Sequence, residues 1–149
     1  MTIPEDPSYE IKKGYPLTHS SDIRSEQRFN NFKKALQRYE EGLSPKMSRL
    51  EDEGLIQRFE YTFELAWKCL QDLLQERGYA NVRGPRPVIE QAFQDGIITD
   101  GALWLEMLNA RNETTHLYDE TTFSRISKNV KGTYLKHLKS FSTSFPHSK

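Results

Sequence analysis

The segment from Glu51 to Arg77 limits the possible folds more than any other part of the chain. At about 100° per residue, Leu55, Ile56, Phe59, Phe63, Ala66, Trp67, Leu70, Leu73 and Leu74 fall within one arc of about 120°. Glu51, Asp52 and Glu53 suit the positive end of a helix dipole, and Gly78 offers a C-terminal stop. Tyr61, Leu65 and Cys69 recur every fourth position as a smaller second stripe. A helix with two apolar stripes needs two neighbours. This one is therefore central, or it faces a second copy of the chain.

Four further segments carry helical period. The first runs from about Arg24 to Glu41, with Phe29, Phe32, Leu36 and Tyr39 on one side and Gly42 as a stop. A short one, about Arg86 to Asp95, has Pro87 in its first turn and ends at Gly96. The next starts after Thr99 or Asp100, either a good N-cap, and runs through Trp104 and Leu108 to about His116. The last starts after Asp119 and reaches about Phe141, with Phe123, Ile126, Val130, Tyr134, Leu138 and Phe141 inward and its Lys and Arg side chains outward. No alternating stretch is long enough for a sheet. The expected class is all-α: an antiparallel, up-and-down helical bundle of four main helices plus a short one, over residues 24–142. Residues 1–23, with three of the seven prolines, read as an extended or mobile arm that docks through Ile3, Tyr9, Ile11 or Tyr15, and residues 143–149 as a tail.

A length of 149 residues suits one domain, and 28% charged with 11% aromatic residues suits a folded one. No apolar run approaches the roughly 18 to 20 residues needed to span a bilayer. The start, Met1 to Pro7, lacks the basic and apolar regions of a signal peptide, so a cytoplasmic location is expected. The one cysteine, Cys69, reads as a core or interface residue, and no paired Cys/His spacing offers zinc a site. Formal net charge is zero, so nucleic acid would have to bind a local patch. Arg125, Lys128, Lys131, Lys136, Lys139 and Lys149 form one with no acid among them; it either holds RNA phosphates or is a solvated helix face. Without aromatics between its cations, it carries no base-stacking signal.

The chemistry concentrates in the fourth segment. Arg111 continues the stripe of Leu103, Trp104, Met107 and Leu108, and Asn112 sits beside it. A guanidinium there is costly unless it snorkels, pairs with a carboxylate such as Glu64 or Glu106, or meets an anion. His116 lies five residues on, about 140° round a regular helix, so the two tips converge only if the helix ends near Thr115 or His116, or across a two-fold axis. Leu117 and Tyr118 then form a tight corner in which extended backbone points His116 and Tyr118 the same way. Read alone, a single His at a helix end is more often structural than catalytic, His137 reads as a packed histidine, and Tyr118 as a half-buried corner tyrosine.

The run Arg111-Asn112-Glu113-Thr114-Thr115-His116-Leu117-Tyr118 resembles the HEPN ribonuclease signature, an Arg, four to six residues, then a His. With Asn after the Arg and Tyr two after the His, it looks like that of the HepT-type toxins. Ile56 to Lys68 is similar to the nucleotidyltransferase substrate-binding protein branch of the same family, and the Pro87 to Gly96 and Trp104 to Leu108 blocks follow in the family's order. The resemblance spans about residues 24 to 142. It implies a homodimer that gathers two Arg111/His116 pairs into one cleft, and metal-independent RNA cleavage needing no cofactor. His116 would move protons for attack of a ribose 2′-hydroxyl on phosphorus, Arg111 would stabilise phosphate charge, and Asn112 would position it. An imidazole and a planar, permanently charged fork suit those tasks. It also implies a minimal nucleotidyltransferase antitoxin that adds AMP to Tyr118. The family supports another reading as well: a non-catalytic subunit that presents substrate to a separately encoded nucleotidyltransferase. A purely structural dimeric bundle is the third.

Overall fold

The computed structural model describes residues 16–146. Among them every regular element is helical: α1 (Pro16–Glu41), α2 (Arg49–Glu76), α3 (Pro85–Gln94), α4 (Gly101–Glu113), a 3₁₀ turn (Thr114–His116), α5 (Glu120–Lys131) and α6 (Thr133–Ser144). The all-α class holds. So does the central place of α2, which packs against α1, α3, α5 and α6. Its first stripe is buried throughout, from Leu55 to Leu74. The second divides: Cys69 is buried, Leu65 is partly covered and Tyr61 is 63% exposed.

Local chemistry sets the ends. Ser48 caps α2, its Oγ accepting from the Glu51 amide while the Ser48 amide donates to the Glu51 carboxylate. These bonds hold the Glu51 carboxyl below its ordinary range. Asp100 caps α4 and Asp119 caps α5, as expected from their positions. Gly78 and Gly96 take positive φ just past α2 and α3, where a side chain would be strained.

Three boundaries differ from the expectation. Helix α1 begins at Pro16 rather than Arg24; a proline that looks like a breaker is tolerated in a first turn, whose amides have no helical partner. Docking of the arm through Ile3, Tyr9, Ile11 or Tyr15 concerns positions outside the described residues. The expected last helix is two helices, split at Gly132 (φ −123°, ψ −93°). Its apolar stripe continues through the break, because Phe123, Ile126 and Val130 in α5 and Tyr134, Leu138 and Phe141 in α6 all reach the core. At the junction the buried Tyr39 hydroxyl donates to the Val130 carbonyl. Lastly, Phe145 is buried, its ring 5.1 Å from both Phe29 and Phe141, so the packed bundle extends past residue 142.

Rings dominate the core. Phe59 stacks on Tyr134 and Phe63, Phe63 lies against Trp104, and Trp104 meets Phe141 edge-on. Burial pushes the Cys69 thiol up to about 12, leaving it protonated and inert. No helix among the described residues is long and apolar enough to cross a membrane.

Candidate active site

Helix α4 ends where its residues change character. Its last turn carries Arg111, and the chain then tightens into the 3₁₀ turn, which buries none of its own side chains. Arg111 takes the carboxylate option. Its Nη2 donates to Glu64 Oε1 of α2 at 2.6 Å, and its Nη1 donates to Asn112 Oδ1 at 3.0 Å. Both charged side chains are about 30% accessible, at 30% and 28%, so a polyanion can still reach the pair. Two bonds occupy two of the five N–H donors that a guanidinium carries. Glu106, the other carboxylate considered, instead accepts from the Tyr134 hydroxyl.

His116 and Tyr118 meet at the corner. His116 Nδ1 lies 3.1 Å from the Tyr118 hydroxyl, and the rings stand edge to face. The expected extended backbone is corrected: Leu117 has φ −69° and ψ −11°, so the corner is helical and the two side chains curl toward each other. Nor is Tyr118 half-buried, since it is 80% exposed. Arg111 thus has Asn112 and Glu64, and His116 has Tyr118. No hydrogen bond among the described residues joins one group to the other.

Two residues that local periodicity did not single out hold this segment. Glu60, one turn before Glu64, lies 2.6 Å from the Thr114 hydroxyl, whose single proton is shared between that carboxylate and the Arg111 carbonyl at 2.8 Å. Arg49 reaches the Leu117 carbonyl from the start of α2. Glu60 and Glu64, four apart on α2, face Thr114 and Arg111, three apart at the end of α4. That matched spacing was the available signal; Arg49 had none.

The basic face is largely structural. Arg125 pairs with Glu113, Lys131 with Asp52 and Lys139 with Glu40, leaving Lys128 and Lys136 exposed. Among the described residues no three His, Cys, Asp or Glu side chains cluster as a metal site.

His137 lies half-buried on α6, edge-on to Trp104, as its packed reading expected. Desolvation lowers its pKa, opposed by the Asp100 carboxylate. The unfolded chain therefore binds a proton at this site at a higher pH than the folded one does. Between the two pKa values ν is larger in the unfolded state, so stability falls as pH is lowered through about 6.5 toward the folded value. Denaturant midpoints from pH 7.5 to 5 should fall in the wild type and fall less in His137→Phe. Equal slopes would show that His137 contributes nothing to the dependence.

Comparison with known proteins agrees with this fold. Residues 27–146 match the family model described as nucleotidyltransferase substrate binding protein like. The chain is similar to the probable ribonuclease HepT of Haemophilus influenzae, 31% identical over 71 residues that cover 45% of this chain and 49% of that protein. It spans about half the length of that relative. A crystal structure of a protein from Thermus thermophilus matches with a TM-score of 0.67 and 33% identity, over 74% of this chain and 94% of that one. With most of its length matched to one family model, the chain belongs to the nucleotidyltransferase substrate-binding protein-like family.

Proposed function

We propose that the protein is a metal-independent endoribonuclease, the toxin of a pair whose other member is a minimal nucleotidyltransferase. The observation that carries this reading is the exposed His116–Tyr118 contact at 3.1 Å, on the turn that directly follows the helix presenting Arg111. In the tautomer that donates Nδ1–H to the Tyr118 oxygen, Nε2 bears the lone pair and takes a proton from a ribose 2′-hydroxyl. The 2′-oxygen then attacks phosphorus, the 5′-oxygen leaves as the His116 imidazolium passes its proton to it, and a 2′,3′-cyclic phosphate remains. Arg111, held by Glu64 and Asn112, donates to the non-bridging oxygens as charge builds on them. Two protomers pair across the α2 stripe of Tyr61 and Leu65 and supply two such sets to one cleft.

Tyr118 is the regulated position. AMP on its oxygen places bulk and negative charge beside His116, where RNA phosphate would enter. Its 80% exposure supports access by a modifying enzyme.

The accessory-subunit reading draws on one specific observation: the Arg111 charge is already met by Glu64 at 2.6 Å. The two readings separate in one experiment. Purified protein incubated with RNA in EDTA should release fragments ending in 2′,3′-cyclic phosphate, and intact RNA would favour the accessory role. With the nucleotidyltransferase and ATP, Tyr118 should gain the mass of AMP and cleavage should stop. An unmodified Tyr118 would remove this regulation.

A further inference from the structure

Arg49, the first residue of α2, reaches across to the corner that follows His116. Its Nη2 donates to the Leu117 carbonyl at 3.0 Å, its Nη1 to Glu120 at 2.6 Å and its Nε to Glu53 at 3.0 Å. The guanidinium carbon also lies 3.6 Å from the centre of the Phe123 ring, a cation–π contact. The ion pairs are half-exposed and individually weak. The carbonyl bond differs in kind, because Leu117 stands between His116 and Tyr118 and its peptide fixes where the chain runs between them.

The turn needs such a tether. Thr114 to His116 bury no side chain, and Leu117 after them is only partly buried against the core, so packing alone holds the turn weakly. Its upstream end is tied by Thr114 to Glu60. Its downstream end is tied by Leu117 and Glu120 to Arg49. His116 lies between the two anchors, and both anchors stand on α2, the most enclosed helix of the bundle.

We infer that Arg49 is a positioning residue for the proposed ribonuclease site: by holding the Leu117 carbonyl, the Glu120 carboxylate and the Phe123 ring together, it keeps His116 Nδ1 against the Tyr118 hydroxyl. This rests on the reading of His116 as the proton-transfer group. A planar fork can meet a carbonyl, a carboxylate and a ring face at once, and a lysine ammonium cannot.

The test compares Arg49→Ala and Arg49→Lys with Arg86→Ala, which deletes an exposed ion pair elsewhere, on α3. Two readouts are taken: kcat and KM on RNA, and nitrogen-15 NMR of the His116 ring with and without Tyr118→Phe. Both Arg49 variants should lose about 10- to 100-fold in kcat, the scale of a slightly misplaced catalytic group, with KM little changed. The effect of Tyr118→Phe on the His116 ring nitrogens, present in the wild type, should vanish in both, while Arg86→Ala behaves as wild type. Arg49→Lys retains the charge and serves if the alanine variant fails to fold. Unchanged ring signals overturn the inference, including where kcat falls, since Arg49 would then act by another route. If the wild type leaves RNA intact, the ribonuclease reading fails by itself, and the ring signals still decide for or against Arg49.

Discussion

His116→Ala is expected to lower RNA cleavage by about 10²- to 10⁴-fold, the range for loss of a positioned general acid–base group. Its melting temperature should stay within a few degrees of wild type, because an exposed side chain that leaves no buried partner costs little stability. His116 gives up one contact, the one to the exposed Tyr118 hydroxyl. Arg111→Ala is a less clean experiment, since it strands Glu64 in a partly covered position and mixes a packing effect with a catalytic one. Initial rates on a fluorophore-quencher RNA, taken beside a melting curve, measure both quantities. Full cleavage by His116→Ala would take the imidazole out of the chemistry.

Phe59→Ala is expected to cost about 3–5 kcal/mol, the usual range for emptying a buried phenyl site. The Phe59 ring is fully buried, with Tyr134 5.2 Å away from α6, Phe63 at 6.0 Å along α2, and Tyr39 at 6.2 Å from α1. Three helices thus share one ring. Domains of this size have about 5–15 kcal/mol in hand, so the variant should sit near the edge of folding. Phe59→Leu, which retains most of the volume, should lose much less. Urea denaturation of the three proteins at constant m-value gives the differences. A loss below about 1 kcal/mol for the alanine variant would mean that the core is not organised around this ring.

How much of this is legible in the sequence depends on the range of each interaction. The two stripes of α2 encode a central helix, and α2 is central, because burial follows the 3.6-residue period along its length. Asp100, Asp119, Gly78 and Gly96 act within one turn of themselves, so their roles could be read from neighbours in sequence. Gly132 hid inside an unbroken apolar pattern: the stripe says which way side chains face, not whether the backbone between them stays helical. The capping box of Ser48 and Glu51 is obscured in the sequence by three acids just inside the helix, which by themselves mark its start.

The site divides in the same way. Asn112 beside Arg111, and Tyr118 near His116, follow from short separations, although the backbone that brings the second pair together is helical rather than extended. Glu60 and Arg49 belong to the site through partners 54 and 68 positions away. No local period marks such residues. Glu64 was reachable only because an arginine on an apolar stripe asks for a carboxylate.

The pairing of Arg111, Arg125, Lys131 and Lys139 with acids has a consequence for any polyanion that approaches. A cation already matched to a carboxylate neutralises little phosphate charge, so a strand that approaches it gives up few of its own condensed counterions. Attraction at long range is correspondingly faint, and added sodium chloride has little to screen. On the proposed reading, selection would then rest on fit at the corner of His116 and Tyr118, not on the pull of the surface.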